Sequence, residues 1–224
     1  MKKTFIIFFA SLIFIDCNNT PSNKIIPADT IIDTVIKHTD TSVTNDNIIT
    51  DSAVSGSNSV LIGGESVGKI LLGMDASNLE NILGKPDMSD AAMGKAWLTW
   101  NGKPDEHNNK TELNIYTAYK DNSMRQQTVQ EIRTTSSFFT TADSIHVYSA
   151  LDEIKNKYVV KKVAQYNHDT RAISIYDDKA KGIAFEIASA NTQNICIGII
   201  VHSKNKNVND IYLTLHPDMK RFDK

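Results

Sequence analysis

The side chains able to do chemistry are few and dispersed. The chain carries two cysteines, Cys17 and Cys196, and six histidines. Cys196 lies in the apolar run Ile195–Val201, the pattern of a buried strand. It reads as a small buried hydrophobe, not as a nucleophile. His146 and His202 fall at strand-like positions, His107 and His168 in polar turn-like segments, and His216 precedes Pro217. No metal-ligand spacing relates them. Asp152 and Glu153 are adjacent on a predicted helix, where neighbouring side chains splay apart and do not flank one substrate. Asp177 and Asp178 open a hairpin turn and lack the alternating oxygen ligands of a calcium loop. There is no glycine-rich phosphate loop, G-x-S-x-G elbow, H-E-x-x-H or C-x-x-C. No catalytic, cofactor or metal residue is therefore assigned, and a hydrolase is the least favoured reading.

Aromatic side chains offer recognition instead. Trp97 and Trp100 stand three apart on a predicted strand and so point to opposite faces. One enters the core. The other, with Tyr116 or Tyr119, forms a candidate contact patch for a protein or glycan. Net charge is −2 with the basic residues dispersed, which excludes a phosphate-tracking surface for nucleic acid.

The N-terminus carries an address. Lys2 and Lys3 precede an apolar run from Phe5 to Ile15, then Asp16 and Cys17. A spanning helix needs about 20 apolar residues, so the run has the length of an export signal. No small-x-small peptidase site precedes Ile15. The segment 1–16 resembles a bacterial lipoprotein signal peptide, with Asp16 where a small residue is usual. That resemblance implies acylation of Cys17 Sγ and a lipid anchor in the cell envelope, at the outer membrane. Cys196 is then left without a disulfide partner.

Residues 17–64 are rich in Thr, Ser, Asn and Asp and contain no aromatic residue. Such a composition buries too little apolar surface to offset its ordering entropy. It is expected to be a flexible tether with a root-mean-square span of roughly 40 Å. Within it, Thr30, Thr34 and Ser52 each follow an aspartate, in tripeptides that resemble the acceptors of periplasmic O-glycosylation in some bacteria.

Residues 65–224 are long enough for one domain with its own core. Lys69–Leu72 reads as a short strand, followed by a helix capped by Asp75 or Ser77, with Leu79, Ile82 and Leu83 on one face. Gly84 and Pro86 end it. Strands are expected at Ala96–Trp100, Glu112–Lys120 and Thr128–Thr135, the second showing period-two alternation. The order then restarts, with a strand at Ser144–Tyr148 and a helix at Ala150–Tyr158. Strands follow at Val159–Tyr166, Ala172–Tyr176, Gly182–Ala188 and Ile195–His202. A shift of 75 residues places Ile70 on Ile145 and Leu79 on Ile154. The expected class is α+β, with short helices packed on a curved antiparallel sheet. Two tandem strand–helix–meander units, 65–137 and 138–224, are the candidate arrangement.

The stretch from Ile70 through Asp75 and Leu79 to Leu83-Gly84-Lys85-Pro86 resembles the opening of small envelope-lipoprotein domains of the SmpA/OmlA type, the outer-membrane assembly lipoproteins. It is also similar to that of the related β-lactamase-inhibitor-protein fold. The second unit has Tyr158-Val159-Val160-Lys161 at the corresponding place. The resemblance implies a non-catalytic envelope lipoprotein that binds an envelope protein partner or serves in assembly. The alternative it carries is a secreted binder or inhibitor of an enzyme or glycan.

Overall fold

A computed structural model describes residues 58–121, 123–168, 170–190, 193–210, 216 and 219–222. The signal segment, Cys17, Thr30, Thr34 and Ser52 lie outside the described residues. The folded body takes in residues that composition assigned to the tether. Strand β1 (Val60–Ile62) pairs with β2 (Ser66–Val67), and Leu61 is buried in the core. Together with β3 (Ile70–Leu71) and β8 (Thr140–Thr141) they form a four-stranded sheet in the order β3-β2-β1-β8.

The larger sheet has nine strands. Its first half is the meander β4 (Met88–Ala92), β5 (Lys95–Asn101), β6 (Glu112–Tyr119) and β7 (Gln127–Thr134). Its second half is β9 (Lys161–His168), β10 (Arg171–Asp178), β11 (Ile183–Ala190) and β12 (Gln193–His202). The last strands of the two meanders, β7 and β12, pair antiparallel from Ile199↔Thr134 to His202↔Glu131. A short β13 (Lys220–Arg221) closes the far side, giving the order β13-β9-β10-β11-β12-β7-β6-β5-β4.

This architecture corrects the α+β expectation. The described residues are mostly strand, and helix α1 (Leu79–Leu83) has five residues and α2 (Leu151–Lys157) seven. At 3.6 residues per turn these are one and two turns. Each contributes only one or two side chains to the core, Leu79 from α1 and Leu151 with Ile154 from α2. Neither forms a layer. The apolar stripes that suggested helical packing are real, but too short to build more than a plug. Sequence periodicity cannot separate the two cases when a stripe holds two or three residues.

The core lies between one face of the large sheet and the small sheet. Ile115, Ile132, Phe185, Ile199 and Val201 meet Leu61, Val67 and Ile70 there. Burial of each such side chain contributes about 1.5–3 kcal/mol. Local signals set the turns. Asp75 accepts from Ser77 N at 2.9 Å and from Gln126 Nε2 at 2.8 Å, tying the start of the helical segment to the start of β7. Gly84 ends α1 at φ +77°, and its carbonyl accepts from Trp100 Nε1 at 3.0 Å. Gly182, at φ +67°, closes the β10–β11 hairpin where a Cβ would lie 2.3 Å from the His202 carbonyl oxygen.

One expected strand is absent. Residues Ser144–Tyr148 are irregular and end in a turn, with Ser144 at φ +64° and Tyr148 at φ +85°. A positive φ at a bulky residue is costly. It is held by Tyr148 N donating to the Cys196 carbonyl at 2.8 Å and by the phenol donating to Asp105.

Candidate functional site

The second face of the nine-stranded sheet carries the polar residues. Alternation along the strands brings two cross-strand rows onto it. One row runs Asp90, Trp97, Tyr116, Glu131, His202 through successive register pairs. The next runs Met88, Thr99, Asn114, Arg133, Ile200.

At the centre sits a buried ion pair. Arg133 donates from Nε to Glu186 Oε1 at 3.0 Å and from Nη2 to Oε2 at 2.7 Å. Its Nη1 donates to Asn114 Oδ1 at 2.7 Å, and Asn114 Nδ2 in turn donates to Thr99 Oγ1 at 3.0 Å. Burial pushes the Glu186 carboxyl up, but the Arg133 charge and its hydrogen bonds outweigh this and hold it below the usual carboxylate range. Burial likewise opposes the Arg133 charge, and Glu186 more than offsets it. Gly198 makes this geometry possible. A Cβ there would stand 2.3 Å from Glu186 Oε2. Gly198→Ala is therefore expected to displace the carboxylate and destabilise the domain by about 1–3 kcal/mol, measured by urea unfolding.

A second pair joins β12 to β10. His202 is fully buried, with Nε2 3.0 Å from Asp177 Oδ1 and Nδ1 3.1 Å from the Ser203 carbonyl. Both neighbouring oxygens are hydrogen-bond acceptors. Asp177 Oδ2 also accepts from Val208 N at 3.2 Å. Val208 opens a short helical turn, Val208–Asp210. Val208 and Met219 pack on Ala164, Ile173 and Ile200, and the His216 ring stacks on Tyr166 at 3.4 Å.

Glu131 differs from its neighbours. It is fully buried, and neither carboxyl oxygen has a hydrogen-bond partner among the described residues. Burial, then the Glu186 charge, push its carboxyl well above the usual range; Arg133 opposes them and Asp177 adds to them. Burial without a partner thus favours the protonated form of this carboxyl, on β7 between β6 and β12.

The aromatic residues are divided between the faces. Trp100 lies in the core, whereas Trp97 and Tyr116 sit on the second face with ring centroids 6.3 Å apart. Both of the latter are buried, at 5% and 4% exposure, while Tyr119 is 37% exposed and lies against Gly94 of the β4–β5 turn. A cavity of about 420 Å³ opens beside Trp97 and Tyr116, lined also by Asp90, Ala92, Met93 and Lys95. At the other end of these strands a recess of about 530 Å³ is lined by Trp100, Pro104, Leu113, Glu112 and the exposed Phe138. Of its three carboxylates, Glu112 is engaged with Lys110 Nζ at 3.1 Å and Asp105 with the Tyr148 phenol, while Glu106 is exposed, 3.6 Å from His107 Nε2.

Cys196 is fully buried and its Sγ donates to the Gly198 carbonyl at 3.3 Å; burial pushes the thiol up, away from the reactive thiolate. No group of three His, Cys, Asp or Glu among the described residues is placed to hold a metal ion. Sequence reasoning missed the central cluster. Its signal was Glu186, a single charge inside the apolar strand Ile183–Ala190, which a partner had to neutralise.

No family model and no curated protein matches this chain. A solved structure, an extracellular protein containing a SCP domain from Bacillus anthracis str. Ames, is similar over 60% of this chain at 11% identity and a TM-score of 0.37. The match spans 44% of that protein's length. At that distance neither fold nor function transfers.

Proposed function

We propose that this chain is a non-catalytic lipoprotein of the bacterial cell envelope, tethered through acylated Cys17, whose sheet domain binds another protein. The observation that carries the reading is that most of the buried ionisable side chains are held by partners inside the fold. Arg133 is used by Glu186, and His202 by Asp177. Asp178 accepts from Val159 N at 2.9 Å, and of the buried carboxyls Glu131 alone has no hydrogen-bond partner among the described residues. What the domain offers is surface: a recess beside Phe138 and an open sheet edge with an adjoining cavity. The membrane address rests on the run Phe5–Ile15 and Cys17. The partner of such an anchored domain is an envelope protein, and assembly is the role that the resemblance to SmpA/OmlA-type domains supports.

Photo-crosslinking in intact cells tests the reading, with a photoreactive residue at position 91 or 138 of the full chain. One discrete heteromeric adduct, identified by mass spectrometry and seen again when the identified partner carries the probe, is expected. Only uncrosslinked chain from both positions, together with turnover of a substrate by the purified domain, would contradict it.

A further inference from the structure

We infer that β4 receives an extended segment of the partner as an added strand, with a basic residue opposite Asp90 and an apolar side chain entering the cavity over Trp97 and Tyr116. This rests on the protein-binding reading and names how the partner is held.

The edge itself is the first observation. β4 ends the sheet, all five of its residues are exposed, and among the described residues it pairs only with β5. That pairing runs from Met88↔Thr99 to Ala92↔Lys95 without a bulge. Sheet edges are normally blunted by short strands, Lys, Pro or bulges, because their outward N–H and C=O groups recruit another strand. The opposite edge follows that rule, since β13 has two residues and both are basic, Lys220 and Arg221. β4 has neither Lys nor Pro within it.

The cavity is the second. Asp90 and Ala92 share the face of Trp97 and Lys95 by register, and Tyr116 stands opposite Trp97. The methyl group of Ala92 leaves the way from edge to cavity open. In strand addition the main chain gives affinity and such pockets give specificity for alternate side chains.

Charge selects the occupant. Asp90 is the one charged residue of β4 and makes no side-chain hydrogen bond or ion pair among the described residues. A second copy of this chain fits badly. The antiparallel register that pairs all five residues sets Asp90 opposite Asp90, and like charges directly opposed are destabilising. A strand with Lys or Arg at that place is the complementary partner.

The test uses the full chain in detergent micelles and the fluorescein-labelled peptide TFTKTFT, which puts its basic and apolar side chains on one face in either direction. Binding is read by anisotropy. We expect saturable binding, weakened about tenfold by Asp90→Lys, which in turn prefers TFTETFT. Alternate residues of a strand direct their N–H groups outward, so one of Ala91→Pro and Ala92→Pro abolishes binding while leaving the melting temperature nearly unchanged. Binding indifferent to Asp90→Lys and to both prolines overturns the inference, as does no binding at millimolar peptide. Dimers lost on proline substitution would assign the edge to a second copy and also overturn it. If the edge fails in any of these ways while crosslinks from position 138 still identify a partner, the protein-binding reading stands and only the edge is refuted.

Discussion

Replacing Arg133 by Met is expected to destabilise the domain by about 3–5 kcal/mol, because it leaves the Glu186 carboxylate buried with its ion-pair partner gone. For a domain of this length the melting temperature falls by roughly 10 °C. The second change decides the interpretation. In the double variant Arg133→Met with Glu186→Leu both charges are gone, and most of the loss is recovered. A double-mutant cycle with Asn114→Ala separates the charge from the hydrogen-bond chain to Thr99. If Arg133→Met were neutral, the pair would not be desolvated as the structure has it.

Glu131 gives the second large effect, seen in the pH dependence of stability. Its folded-state carboxyl is raised by burial, by Glu186 and by Asp177, against Arg133. The charged and polar groups facing it are Arg133 on its own strand, Tyr116 on β6, His202 on β12, Glu186 on β11 and Asp177 on β10. A raised carboxyl favours the folded state fully at low pH. That contribution is lost as pH climbs above the ordinary glutamate range, at up to about 1.4 kcal/mol per pH unit for one proton. Glu186, held low, acts in the opposite direction and loses its contribution as pH falls. Stability should therefore peak between the two effects. Glu131→Gln removes the first, so the variant gains on the wild type progressively from acid to alkaline pH in urea titrations. Parallel pH profiles for the two proteins would show that Glu131 is solvated or ion-paired.

Much of the large sheet was legible from the sequence, and the reason is period. β5, β6, β7 and β9 to β12 alternate or run apolar, and their ends fall within a few residues of those expected. β4 was not, since Met88–Ala92 contains no β-branched or aromatic residue and is a strand because β5 offers it a ladder. Ser144–Tyr148 looked apolar enough for a strand, but two positive-φ residues and a tertiary hold on Tyr148 turn it instead. Short apolar stripes suggested helical layers where only one or two turns exist. The adjacency of Trp97 and Tyr116 is a register property, set by pairing across a ten-residue connection that no local pattern encodes. The polar centre was missed, although Glu186 stands as a single charge in an apolar strand.

The claim on which the envelope address depends is the lipid at Cys17, and it is measured most directly on the native protein beside a Cys17→Ala variant. We predict that the native chain partitions into the detergent phase, with an intact mass showing cleavage before Cys17 and a lipid-modified N-terminus. The variant should lose both. If the two proteins are equally soluble and unacylated, the membrane anchor is refuted, and the sheet domain belongs to a freely secreted binder.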